Sequence, residues 1–190
     1  MKKIIFIFVI ALGFMNYKSS AQSYNSAPRE KFGPTINLGA GVGYYGYLGA
    51  PAPAVMLNVE LDIARNITLA PFIGFYTYSN DYYWGDPHYP YRNYAYREVV
   101  VPLGIKGAYY FDQLLHASDR WDFYAAASVG ISIHQVSWDN GYYGDRNVIN
   151  GPSPLYGTAH IGSRLHITPK FGIYLDLSTG ISTFGLSFKL

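Results

Sequence analysis

Apolar and polar residues alternate with period two along eight stretches of this 190-residue chain: Thr35–Leu48, Ala54–Ala64, Ile67–Asn80, Tyr96–Phe111, Trp121–Trp138, Leu155–Ile167, Phe171–Gly180 and Ser182–Leu190. Strict alternation puts one residue class on each side of an extended chain, so each stretch predicts a β-strand with two unlike faces. One parity is apolar throughout. In the second stretch it reads Val55, Leu57, Val59, Leu61, Ile63, and in the fourth Val99, Val101, Leu103, Ile105. The opposite parity holds Glu60, Asp62, Glu98, Lys106, Arg164, Asp176 and Lys189, with His134, His160 and His166, among Gly, Ala, Ser, Thr and Tyr.

Sorting by polarity does not by itself say which face is inside. A soluble calyx keeps its apolar parity inward and a well-charged parity in water. Here the polar parity has few charges and many small residues, which suits a narrow interior better than a wet shell. The expectation is all-β: a closed, eight-stranded, antiparallel up-and-down barrel with its apolar parity in lipid and its polar parity in the lumen. The links sort as well. Arg65–Asn66 and Thr168–Lys170 are tight on one side, and Asp81–Ala95 and Asp139–Pro154 are long on the other. The link Asp112–Arg120 is long for the tight side. Pro71 and Pro102 fall within strands three and four, where a closed barrel has no edge to excuse a missing N–H. They predict a bulge or a bridging water at each.

Composition sharpens this picture. Charged residues make up 14% of the chain, against about 25% in an ordinary soluble domain, and aromatics 18%, with 20 tyrosines. A chain so poor in charge would cover itself badly in water. The N-terminus has Lys2 and Lys3, an apolar run Ile4–Met15, then Ser19 and Ala21 at the spacing of a cleavage site before Gln22. That is the layout of a secretory signal peptide, and the run is too short for a spanning helix of about 20 residues. The expected organisation is a signal peptide over 1–21, a periplasmic leader over 22–34 and a transmembrane barrel over 35–190. Cleavage removes three lysines, which turns a formal net charge of +2 into −1. No basic patch points to nucleic acid. The absence of cysteine excludes disulfides and thiolate metal sites, and nothing in the chain calls for a cofactor.

The sequence ends in TFGLSFKL. Thr183, Gly185, Phe188 and Leu190 occupy the polar, glycine and terminal hydrophobic slots of a motif that resembles the C-terminal signature of small outer-membrane barrels of the OmpA/OmpX type. The resemblance implies an outer-membrane location in a Gram-negative bacterium, with both termini in the periplasm. It implies recognition of the last strand by the barrel-assembly machinery, periplasmic chaperones during biogenesis, outer-membrane lipid as the surrounding partner, and a monomer.

Eight strands enclose a lumen just wide enough for side chains. Glu60, Asp62, Glu98, Lys106, Arg164, Asp176 and Lys189 are therefore expected to form a paired charge network that plugs it, because unpaired buried charges are costly. Arg164 is expected to meet Asp176 across the tight turn at Pro169. Candidate chemistry is thin. Ser132 and His134 share a face, His160 and His166 fit hydrogen bonds in the lumen, and His88 lies beside Asp86 in a loop. The long links carry Tyr82, Tyr83, Trp84, Tyr89, Tyr91, Tyr94, Tyr142 and Tyr143, rigid rings of the kind binding loops favour. Tyr76, Tyr78 and Tyr96, nearer the strands, read as an interfacial girdle. The function read from these features is a structural or surface-interaction barrel, not an enzyme, with an extracellular glycan or protein as ligand. The alternatives are a lipid A-modifying barrel enzyme and a narrow, porin-like channel.

Overall fold

The computed structural model describes residues 33–43, 52–146 and 154–190. The expected signal peptide, most of the leader and the 44–48 end of the first predicted strand lie outside them. Eight strands are described: β1 (Thr35–Gly43), β2 (Ala52–Ala64), β3 (Ile67–Asp86), β4 (Tyr89–Tyr110), β5 (Trp121–Trp138), β6 (Leu155–Thr168), β7 (Phe171–Ser178) and β8 (Ile181–Lys189). Each pairs antiparallel with its neighbour in the chain, and β1 closes on β8 from Thr35 opposite Lys189 to Gly43 opposite Ile181. The molecule is a closed eight-stranded antiparallel barrel. The rim beside Thr35 and Lys189 is called the lower rim below.

The two parities part as the alternation requires. Leu38, Ile73, Ile105, Val129, Ile161 and Phe184 stand outward and exposed, and such residues recur on every strand. An apolar surface that encircles a protein is far larger than the patch a soluble monomer tolerates, and lipid is the solvent it fits. The inward parity is buried. In the upper half Ala52, Ala54, Met56, Phe72, Tyr76, Val100, Tyr156 and Ile181 pack together, with Tyr78 against them. This corrects the girdle expectation. Tyr76 is fully buried, the Tyr78 hydroxyl donates to Glu98 at 2.5 Å, and Tyr96 packs edge-on against Tyr78. Their even numbers put these rings on the lumen face.

Neither proline makes a bulge. The β2–β3 ladder lapses between Asn58 opposite Phe72 and Leu61 opposite Leu69, and the β3–β4 ladder between Ile73 opposite Leu103 and Tyr76 opposite Val100. Register is the same on both sides of each gap, so each proline interrupts local hydrogen bonding without adding a residue. The register shifts fall instead at Asp62/Ala64, Trp84/Asp86 and His166/Thr168, where strands run into turns.

The predicted long link 81–95 is not a loop. β3 and β4 continue through it in register, Tyr82 opposite Tyr94 and Trp84 opposite Arg92, to a tight turn at Pro87–His88. The Asp86 carboxylate accepts from the backbone N–H of His88 (2.7 Å) and Tyr89 (2.9 Å) and closes that turn. β5 likewise runs on to Trp138, whereas β6 begins opposite Ile131. β3, β4 and β5 thus rise above the barrel as a three-stranded sheet.

Candidate functional site

The upper sheet carries the predicted binding rings, and it sorts them. Gly141, at φ 103°, lets the chain turn back after β5 and lay Tyr142 over the sheet's inner face. Tyr142 stacks on Trp138 (4.0 Å between ring centroids, 11° between planes) and meets Trp84 (5.2 Å), Tyr94 (5.4 Å) and Tyr82 (6.3 Å) edge-on. Its hydroxyl donates to the Asp145 carbonyl at 2.9 Å. Burial, with Tyr82 and Asp145 nearby, pushes this phenol above its ordinary pKa. Arg92 covers the Tyr94 ring at 4.7 Å. Tyr94 and Tyr142 are each 1% exposed, so these rings are a small core that stiffens the sheet. Tyr83, Tyr91 and Tyr143 are 65%, 64% and 67% exposed. Tyr83 and Tyr91 lie 6.1 Å apart near the hairpin tip, and Tyr143 stacks on Tyr89 at 4.7 Å. A cavity of about 760 Å³ opens beside Tyr143 at the end of β5, lined also by Val136, Trp138, Asn140, Tyr142 and Arg146 among others. Ser132 N–H donates to the Pro154 carbonyl at 2.8 Å. Above that bond no described strand pairs with the β6 side of β5.

The lumen charges occupy three levels. Lowest, the Glu60 carboxylate accepts from Arg164, Tyr110, Thr68 (2.7 Å) and Asn37 (3.2 Å). Arg164 also lies 3.6 Å from Asp122, which bonds His166 at 2.7 Å. In the middle, Asp176 accepts from Lys106 (2.9 Å) and Tyr124 (2.9 Å) and bonds His160 Nδ1 (2.7 Å). Highest, Glu98 bonds His134 Nδ1 (2.8 Å) and Tyr78.

Two sequence expectations need correction here. Arg164 pairs with Glu60, not Asp176. The hairpin register is as expected, Arg164 opposite Tyr174 and Asp176 opposite Gly162. A lumen only side chains wide, however, lets a long arginine reach β2 across it as easily as its own hairpin. Asp62 and Lys189 are exposed at the lower rim, outside the buried network, and Asp62 accepts from the Gly33 N–H at 2.8 Å. Ser132 and His134 form no couple, since the imidazole turns to Glu98 and the Ser132 hydroxyl has no partner.

Sequence reading missed a different constellation. Ser128 Oγ meets His160 Nε2 at 2.8 Å, and His160 Nδ1 meets Asp176. This is the connectivity of a serine–histidine–carboxylate triad. Thr158 Oγ1 holds the same Nε2 at 2.8 Å, Lys106 holds the same carboxylate, and all three members are at most 5% exposed. Only the shared inward parity of positions 128, 160 and 176 signals it in the sequence. Among the described residues no cluster of three or more His, Asp or Glu is arranged to hold a metal ion. In the last strand Thr183 and Gly185 face the lumen, while Phe188 stands outward against Phe171 at 5.4 Å and Leu190 is exposed.

No family model and no curated protein matches the chain. Solved structures do. A designed transmembrane β-barrel aligns with TM-score 0.49 and 11% identity, over 86% of this chain and 100% of that one. Ail, the attachment invasion locus protein of Yersinia pestis, solved with the heparin analogue sucrose octasulfate, aligns with TM-score 0.43 and 10% identity, over 81% and 93%. Neisserial surface protein A aligns with TM-score 0.43 and 12% identity, over 83% and 96%. The chain is a closed eight-stranded antiparallel barrel.

Proposed function

We propose that this barrel lies in the outer membrane of a Gram-negative bacterium, with its termini in the periplasm, and presents the β3–β4–β5 sheet outside as a docking surface for an extracellular glycan or protein. The carrying observation is that sheet. Tyr94, Trp138 and Tyr142 spend their area on stiffening it, while Tyr83, Tyr91 and Tyr143 stand in solvent on a rigid support. Rings held in place lose little entropy when a ligand covers them. The attachment role in the printed name of Ail agrees with this reading.

The interior is read as a plug. Paired charges and the packed layer around Tyr76 fill it, so discrete conductance is not expected in planar bilayers. The Ser128–His160–Asp176 chain is read as part of that plug. Its serine is buried, its imidazole is shared with Thr158, and its carboxylate is paired with Lys106. Lipid A mass spectra with and without the gene should be identical. The main test is a glycan and protein array probed with refolded barrel. Replacing Tyr83, Tyr91 and Tyr143 together with alanine should weaken any captured ligand at least tenfold, and undiminished binding by that variant would overturn the proposed surface.

A further inference from the structure

Near the lower rim, small residues meet on the lipid-facing wall. Gly107 pairs with Ala127, and Tyr109 pairs with Ala125. On the other side Leu69 faces Gly107 and Ile67 faces Tyr109. Side chains that would fill this wall are missing at 107, 125 and 127, and a groove of about 380 Å³ remains, lined by Ile67, Tyr109 and the strand segments 107–109 and 125–127.

The groove leads down to the link whose length the sequence left unexplained. Residues 111–115 wind into a single tight turn: Leu114 N–H donates to the Phe111 carbonyl at 3.0 Å and Leu115 N–H to that of Asp112 at 3.1 Å, and His116, at φ 49°, ends it. Phe111, Leu114 and Leu115 are then spaced i, i+3, i+4, on one face. Leu114 is 72% and Leu115 55% exposed, although both lie beyond the end of the strands. Such leucines need an apolar neighbour, and the lipid belt ends beside them. Arg65, in the adjoining turn, donates to Gln113 of this link at 3.4 Å, and Arg120 is exposed at its far end with Asp119 beside it. The groove, Tyr109, Phe111 and the two leucines thus adjoin the β2–β3 turn, which carries Arg65.

We propose that this is a binding site for one phospholipid of the leaflet at the lower rim. An acyl chain lies in the groove, Leu114 and Leu115 sit in the interface, and the phosphate meets Arg65, with Arg120 nearby. The exposed Arg65 beside the groove selects a phosphate-bearing lipid over a neutral one, since a guanidinium matches phosphate oxygens. The site rests on the transmembrane reading. Its readout does not depend on which cellular membrane holds the protein.

The test is native mass spectrometry of the refolded full barrel, released from nanodiscs that contain phosphatidylglycerol or diacylglycerol with the same chains. Wild type should retain one phosphatidylglycerol, with at least tenfold higher occupancy than diacylglycerol. Ala127→Phe, which fills the groove, and the double change Arg65→Gln/Arg120→Gln should each lower retention at least fivefold. Ile133→Ala, on the same strand near the upper end, should leave it unchanged. Variants are compared only where heat-modifiable migration shows a closed barrel, and Ala125→Leu replaces Ala127→Phe if the latter does not fold. No retained lipid on wild type, or undiminished retention by the groove-filling variant that folds, overturns the site. Equal retention of diacylglycerol overturns the role of the arginines. Retention by a protein recovered outside the outer membrane would overturn the location proposed above and leave this site standing.

Discussion

Glu60 is held by an arginine, a tyrosine, a threonine and an asparagine at once. Removing either end of the Glu60–Arg164 pair strands the other charge inside the barrel. Glu60→Ala and Arg164→Ala should each cost about 3–5 kcal/mol of folded stability, and the double variant clearly less than their sum. Urea titration of the barrel in lipid vesicles measures this, and additive costs would show that the pair is not coupled. The same cycle between Arg164 and Asp176 should give additive costs. A second residue-scale prediction concerns Gly162. A Cβ there would stand 2.3 Å from the Tyr124 ring, whose hydroxyl bonds Asp176. Gly162→Ala should therefore cost about 1–3 kcal/mol by overpacking. An unchanged urea midpoint would mean that the ring has room to move. Parity alone marked Glu60, Arg164 and Asp176 as inward. It did not mark who pairs with whom, because opposed strands of a narrow barrel are as close as adjacent ones.

Among the elements, the β3–β4 hairpin shows where periodicity stops informing. Below residue 80 one face meets lipid and the other the lumen, and the chemistry of the two media imposes the alternation. Above it neither face meets lipid. Tyr82, Tyr83 and Trp84 follow one another because both faces take aromatic rings, and the stretch reads as a loop although it is a strand to Asp86. Its support is Tyr142, which follows β5 and comes from 60 residues further along the chain than Tyr82. Tyr142→Ala should loosen the sheet by roughly 3 kcal/mol, seen as about hundredfold faster hydrogen exchange at residues 82–94. Amides of β7 and β8 should keep their protection. Equal loosening in both regions would mean that the upper sheet and the barrel open as one unit.

For the whole molecule, closure is the decisive contact, and β8 makes it against β1 along nine residues. Phe188 faces lipid near the lower rim, opposite Ile36 and Phe171. Phe188→Asp should cost only about 1 kcal/mol once folded, because a charge near the interface finds water. Assembly should suffer more if the last strand is what the assembly machinery reads. Quantifying the variant in outer-membrane fractions tests this, and normal amounts there would show that the final strand is not the recognition element.

The strand number, the sense of each face and the outward greasy wall were determined by the sequence. A strand between lipid and lumen must alternate, and alternation survives in one dimension. The tight turn at Arg65–Asn66, with Asn66 at φ 61°, was legible for the same local reason. Three things were decided only by the tertiary structure: the partner of each buried charge, the rings that pack against one another, and the groove at Gly107, Ala125 and Ala127. Each depends on distances across the barrel or between strands. A closed sheet brings residues 60 and 164, or 82 and 142, into contact, and no spacing along the chain records it.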